Sequence, residues 1–192
     1  MFIGCTELEY IDLTNFDTSN VTDMKNMFDH CQKLKKIKGI NNFNTSKVSN
    51  MRAMFQLCNE LKYLDLTNFN TAVVTDMDNL FSGCHDLKEI KGINNFDTSK
   101  VTGMVGMFGE CSELEYLDLT NFNTSNVTDM ECMFIGCHKL KGIKGINNFN
   151  NCQVTNMKGI FQECNELEYL DLSTFILLKL LIWEVCSKVV IN

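Results

Sequence analysis

Seven cysteines, Cys5, Cys31, Cys58, Cys84, Cys111, Cys137 and Cys164, stand 26, 27, 26, 27, 26 and 27 residues apart in a chain of 192. A repeat of this length restricts the fold more than any other property of the sequence. So short a unit cannot bury an apolar face alone and must stack on copies of itself. Other columns fall into the same register. Leu8, Leu34, Leu61, Leu87, Leu114, Leu140 and Leu167 each follow a ladder cysteine by three residues. Phe2, Phe28, Phe55, Phe81, Phe108, Phe134 and Phe161 form one aromatic column, and Phe16, Phe43, Phe69, Phe96, Phe122, Phe149 and Phe175 another, which together hold all 14 phenylalanines. The 11 methionines occupy two neighbouring columns. At about 2 kcal/mol per buried side chain, against roughly 1 to 2 kcal/mol of entropy lost per ordered residue, a lone unit does not fold.

Within a unit, LEYIDL over 8–13 has the alternation of a short strand, with Leu8, Ile11 and Leu13 inward and Tyr10 and Asp12 outward. NVTDMKNMF over 20–28 predicts a short helix. Val21, Met24 and Phe28 share one helical face, Thr18, Ser19 and Asn20 are available as caps, and Asp23 suits a first turn. The longer unit carries an added glycine, in IKGI at 37–40, 90–93 and 143–146, which reads as a bulge. The two unit lengths together make a 53-residue super-repeat. The expected fold is an α/β repeat solenoid over residues 1–175, about seven coils, each a short parallel strand plus a short helix.

Composition narrows the function. A net charge of -7 lacks the basic stripe that phosphate binding requires, so no nucleic-acid partner is expected. Ten cysteines in a chain this rich in apolar residues mark repeat positions rather than a disulfide framework, and the seven ladder thiols are expected to be buried as small hydrophobes. Cys132, Cys152 and Cys186 lie off register and are expected to be more exposed and oxidisable. Cys132 with Cys137 and His138 has the wrong spacing for a zinc knuckle, so neither metal nor cofactor is expected. His85 and His138 share a slot with Gln32, Asn59, Ser112 and Asn165, and no GxSxG, HExxH or P-loop pattern occurs; the chain reads as non-enzymatic. The column Asn15, Asn42, Asn68, Asn95, Asn121 and Asn148 reads as turn residues that satisfy backbone groups of their own and the next coil. The sequons at Asn20, Asn44, Asn123 and Asn126 read as by-products of the repeat.

The string LEYLDLTNFNTSNVTDMECMFIGC over 114–137 resembles the BspA-like leucine-rich-repeat surface proteins, whose units read L-x-x-L-D-L-S-x-F-x-T-S-x-V-x-x-M-x-x-M-F-x-x-C. The likeness fixes more than ten positions per unit and runs from residue 1 to about 175. It implies a leucine-rich-repeat-like fold, a cell-surface or extracellular location, and adhesion or protein binding, with no catalytic residues to carry over. Two features depart from it. The chain opens on MFIGC, which matches 133–137 at the end of a unit, so no signal peptide is expected and an intracellular scaffold or a truncated gene fragment is the alternative reading. An uncapped first coil would also invite self-association. After Phe175, ILLKLLIWEVCSKVVIN replaces the repeat. It reads as an apolar cap over the last coil, with a weak membrane contact or an out-of-register segment as alternatives. FILLKLLIW falls well short of the roughly 20 apolar residues of a membrane span.

The candidate binding residues lie on the outward strand positions. Tyr10, Tyr63, Tyr116 and Tyr169 fall 53 residues apart, with Lys36, Glu89 and Gly142 in the intervening slots. Asp12, Lys38, Asp65, Lys91, Asp118, Lys144 and Asp171 alternate in sign and are expected to form a continuous cross-strand ladder. A charge ladder explains the Asp/Lys column as structure. It does not explain exposed tyrosines, whose composition is that of a protein-binding hot spot. The opposing account packs the tyrosines over neighbouring lysine stems.

Overall fold

In a computed structural model, residues 1–175 are described, and they wind into stacked coils around one continuous core. The proposed tail 176–192 lies outside the described residues. Six coils contribute a three-residue strand each, β1 (Tyr10–Asp12), β2 (Lys36–Lys38), β3 (Tyr63–Asp65), β4 (Glu89–Lys91), β5 (Tyr116–Asp118) and β6 (Gly142–Lys144), and the coil of Tyr169 adds no further strand among the described residues. The strands pair in parallel, β1 with β2, β3 with β4 and β5 with β6, with the tyrosine of each first strand opposite Lys36, Glu89 or Gly142. The short strand is thus where the alternation places it.

The helix is not. Among the described residues there is no α-helix; the only helical turns are 3-10, at Ile40–Asn42, Ile93–Asn95 and Ile146–Asn148. In the segment expected to be helical, alternate amides leave the coil altogether. Met24, Asn26, Phe28 and His30 donate to the carbonyls of Asn50, Arg52, Met54 and Gln56 in the next coil, at 2.8 to 3.0 Å. The intervening amides of Met27, Asp29 and Cys31 bond three residues back. Parallel bridges between coils run without a break from Asp23 through Asn50, Asp76, Gly103 and Asp129 to Asn156. The conformation is set by left-handed residues two per turn of the solenoid, such as Asn26 and His30 (φ 55° and 60°) or Ala53 and Leu57 (φ 53° and 55°), which no α-helix accommodates. The apolar spacing of three and four that suggested a helix arises because this staircase also brings Val48, Met51, Met54, Phe55, Cys58 and Leu61 inward.

The core consists of columns one residue deep. The rings of Phe2, Phe28, Phe55, Phe81, Phe108, Phe134 and Phe161 stack at centroid spacings of 5.4 to 5.8 Å. Cys31, Cys58, Cys84, Cys111, Cys137 and Cys164 are buried, and each thiol donates to a phenylalanine carbonyl of the preceding coil, as Cys84 does to Phe55 at 3.0 Å. Cys5 departs from expectation and is exposed. Cys152 is exposed as expected, but Cys132 is half-buried and its thiol is pushed up by that burial, which works against oxidation. Cys186 lies outside the described residues.

Polar columns hold the register. Thr18, Thr45, Thr98 and Thr124 are buried, and each hydroxyl both donates to a carbonyl of the next coil and accepts the amide of that same residue. They bridge coils rather than cap helices. Asn42, Asn68, Asn121 and Asn148 have the structural role expected of the asparagine column, but they donate to carbonyls of the preceding coil rather than the next. In the bridge column, the side chains of Asp23, Asn50, Asp76, Asp129 and Asn156 accept the amide two residues on. Gly103 has no side chain to do so. Asp78 of the preceding coil leans into its place and accepts the Val105 amide at 2.8 Å, with Arg52 closing an ion pair on its other oxygen at 2.5 Å. Burial pushes the Asp78 carboxyl above its ordinary range.

Two predictions follow from these columns. Thr98→Val keeps the shape but strands the amide and carbonyl of Asn123, so it is expected to cost about 3 kcal/mol, whereas the exposed Thr22→Val should cost under about 0.5 kcal/mol. Denaturant midpoints of the two variants check this; equal losses would refute the bridging role. The thiols predict alkaline lability. Burial pushes Cys31 up to about 11 and Cys84 up to about 12 from the ordinary 9.0, so above pH 9 the unfolded chain releases protons that the folded core retains. Stability is complete below that pH and falls as pH rises from 9 towards 12, each thiol adding up to about 1.4 kcal/mol per pH unit. Cys84→Ala should flatten that slope, measured as denaturation midpoint against pH.

Candidate functional site

The outward face of the strands carries the candidate residues up to Lys144, because alternation sends Ile11, Ile37, Leu64, Ile90, Leu117 and Ile143 inward and their neighbours out, while Tyr169 and Asp171 occupy the equivalent positions of a coil without a strand. Tyr10, Tyr63, Tyr116 and Tyr169 are 49, 63, 66 and 54 % exposed, which is unusual for rings in a chain that buries 12 of its phenylalanines. Tyr116 has Lys141 Nζ at 6.0 Å from its ring centre, the edge of a cation–π contact. Tyr63 lies opposite the carboxylate-bearing Glu89 instead.

The Asp/Lys column forms pairs, not a continuous ladder. Lys38 meets Asp12 at 2.7 Å, Lys91 meets Asp65 at 3.6 Å, and Lys144 meets Asp118 at 2.9 Å, each across a paired strand. Among the described residues no ion pair joins Lys38 to Asp65 or Lys91 to Asp118. Asp171 accepts from Asn147 at 3.3 Å. Each aspartate is also anchored locally, since Asp12, Asp65 and Asp118 accept both the amide and the hydroxyl of the threonine two residues on. These bonds hold all three carboxyls below their ordinary range, through Lys38 first at Asp12 and through the threonine hydroxyl first at Asp65 and Asp118.

The pairing is discontinuous because of the added glycine. It is not a bulge: β1 and β2 stay in register to Asp12 and Lys38, and the extra residue follows the strand. Gly39, Gly92 and Gly145 adopt φ of 79°, 86° and 85° and start the 3-10 turns. Their backbone presses against the preceding coil so closely that a Cβ on Gly92 would sit 2.5 Å from Thr67 Cα. Each 27-residue coil is thereby drawn onto the 26-residue coil before it, and the strands separate on its other side. Among the described residues, the backbone bonds crossing from coil to coil beside the open seams are those of Glu60 to Gln32, Glu113 to His85, Glu166 to His138 and Glu168 to Lys141, all donated from outside the strands. Clefts lie over these seams. One of about 670 Å³ spans β2 to β4 and includes Ile37, Gly39, Ile40 and Tyr63; its counterpart of about 730 Å³ includes Ile143, Gly145, Ile146 and Tyr169.

Sequence reading missed the charged rim of this face. Glu7, Glu9, Glu113 and Glu115 pair with Lys33, Lys35, Lys139 and Lys141 of the next coil at 2.6 to 2.9 Å. The signal was present two and four residues after each ladder cysteine, where glutamate and lysine recur in phase with the super-repeat except at Lys62 and Asp86.

The fold defines a leucine-rich-repeat-like solenoid. Its architecture is similar to the crystal structure of the T. pallidum leucine-rich-repeat protein, with a TM-score of 0.55 and 20% identity over 86% of this chain and 68% of that one. A leucine-rich-repeat protein from Bacteroides ovatus is also similar, with a TM-score of 0.47 and 18% identity over 88% of this chain and 50% of that one. The chain belongs to the family described as "Mycoplasma protein of unknown function, DUF285", whose model matches residues 1–91 and 55–175. No curated protein matches it. Among the described residues, no helix is long and apolar enough to cross a membrane.

If the glycine sets the seam, its replacement is costly where it touches backbone. Gly92→Ala should destabilise by about 3 kcal/mol or more, from left-handed strain and the contact with Thr67. Gly142→Ala, whose Cβ would meet nothing closer than Tyr116 Cδ1 at 4.0 Å, should be neutral or slightly stabilising. Thermal midpoints of the two variants separate the cases, and a neutral Gly92→Ala would remove the glycine as the cause.

Proposed function

We propose that this chain is a non-enzymatic repeat module that binds protein partners on its strand face, as part of a cell-surface or extracellular adhesion protein. The observation that carries this reading is the row of four tyrosines, each about half exposed or more, on coils tied to one another by an unbroken line of bridges from Asp23 to Asn156. Such rings offer large amphipathic contact area at low entropic cost, and the rigid coil behind them means that little ordering energy is spent on binding. Tyr10, Tyr63, Tyr116 and Tyr169 would act as anchors, while Asp12, Lys38, Asp65, Lys91, Asp118, Lys144 and Asp171 would supply orienting polar contacts at their edges. The likeness to BspA-like surface proteins supports the adhesion and location parts of the reading. An intracellular scaffold is the second reading, supported by the thiol-rich core. Membrane-impermeant labelling of intact source cells separates the two locations.

The binding face is tested with peptides selected from a displayed library against the full chain. Tyr63→Ala with Tyr116→Ala should leave the denaturation midpoint nearly unchanged, because both rings are exposed, and weaken the selected peptides about tenfold or more. If the double variant binds them normally, or if it unfolds, the face is not a binding surface.

A further inference from the structure

The strand face is not uniform in charge, although the chain as a whole carries -7. The cleft over β2 to β4 is lined by four lysines, Lys35, Lys36, Lys38 and Lys91, against two carboxylates, Asp65 and Glu89. The equivalent cleft two super-repeats along reverses the balance, with Lys141 and Lys144 against Asp118, Glu168 and Asp171. The difference is greatest where no partner neutralises the charge. Lys36 occupies the slot that Glu89 and Gly142 fill in the other 27-residue coils, and among the described residues it forms no ion pair. Lys62, exposed and directly before Tyr63, forms none either. By contrast Lys38 and Lys144 are both held by aspartates.

We infer that the Tyr63 cleft is the docking point for an acidic peptide segment in a partner protein, with the Tyr63 ring as its apolar platform and Lys36 and Lys62 as its cations. The inference rests on the strand face being the binding surface and names the chemistry of what binds there. Charge complementarity selects the occupant. The positive centre is flanked by strand positions whose charges already cancel, Glu9 and Asp12 against Lys35 and Lys38 on one side and Glu115 and Asp118 against Lys141 and Lys144 on the other, so a long polyanion would find no uncompensated cations at those positions. A short acidic run is favoured over a nucleic acid strand, which carries charge at every step. Lys36 in the cleft lining and Lys62 next to Tyr63 in the chain outnumber the one carboxylate there that is unpaired among the described residues, Glu89, and this surplus raises both the encounter rate and the discrimination against neutral segments.

The experiment titrates the full chain with a fluorescent synthetic peptide that has a central run of glutamates and neutral ends, beside the same peptide with glutamines and a single-stranded oligouridylate of equal charge. The glutamate peptide should bind at least about tenfold more tightly than either, with affinity falling as salt rises. Lys36→Glu with Lys62→Glu should lower that affinity about tenfold or more without moving the denaturation midpoint, whereas Lys144→Glu should change it less than about twofold. Equal binding of the glutamine peptide, tighter binding of the RNA, or an equal loss with Lys144→Glu overturns the assignment. If the glutamate peptide fails while library-selected peptides still require Tyr63 and Tyr116, the acidic partner is wrong and the binding face stands. If the selected peptides are also indifferent to the tyrosines, both are wrong.

Discussion

Each coil passes alternate backbone amides of its second half to the coil that follows, and every other feature of the molecule is arranged around that transfer. In an isolated helix these donors would be satisfied internally, and the unit would need its neighbours only for apolar burial. Here Met24, Phe28 and His30 have their acceptors in the next coil, so hydrogen bonding and core burial are both obligations between coils. Backbone groups that leave the local chain must be met at fixed spacing, which confines the phenylalanine, cysteine and threonine columns to one residue per coil. The phenylalanine carbonyl that accepts the thiol of the next coil shows the same economy: a small residue fills the core and closes a polar group with one atom.

The repeat made much of this legible. Columns of leucine, phenylalanine, methionine and cysteine translate directly into the core, since each is fixed by burial and tolerates no slip in register. The asparagine rungs were legible for a related reason, because a turn residue with a short amide can satisfy a backbone carbonyl one coil away. The supposed helix was not, because apolar spacing alone cannot tell a helix from a staircase that brings the same positions inward. The distinction lay in residues that carry no hydrophobic signal. Gly4, Gly83 and Gly136 precede ladder cysteines, as Gly106 and Gly159 lie five residues ahead of them, and all have positive φ. Read as columns, they mark two left-handed positions per unit. Leu57 and Glu110 occupy the same column despite the strain, which hid it.

The candidate face was legible in its residues and not in its grouping. The 53-residue recurrence located the tyrosines and the Asp/Lys column, but equal spacing in sequence suggested equal spacing in contact. One glycine per super-repeat breaks that equality by letting the backbone of one coil lie against its predecessor, an approach that any Cβ would block. The charge surplus beside Tyr63 was similarly invisible in the net charge, because it depends on which lysines have a partner across a strand.

The seams and the bridges lie on opposite sides of the solenoid, and this has a mechanical consequence. From Asp23 to Asn156 the bridges form an uninterrupted spine, while the front is segmented into coil pairs. Flexing that spreads the front widens gaps already free of strand hydrogen bonds; flexing in the opposite sense must stretch the spine. The stack is therefore compliant in one direction and stiff in the other, like a column of vertebrae joined by a ligament along one side.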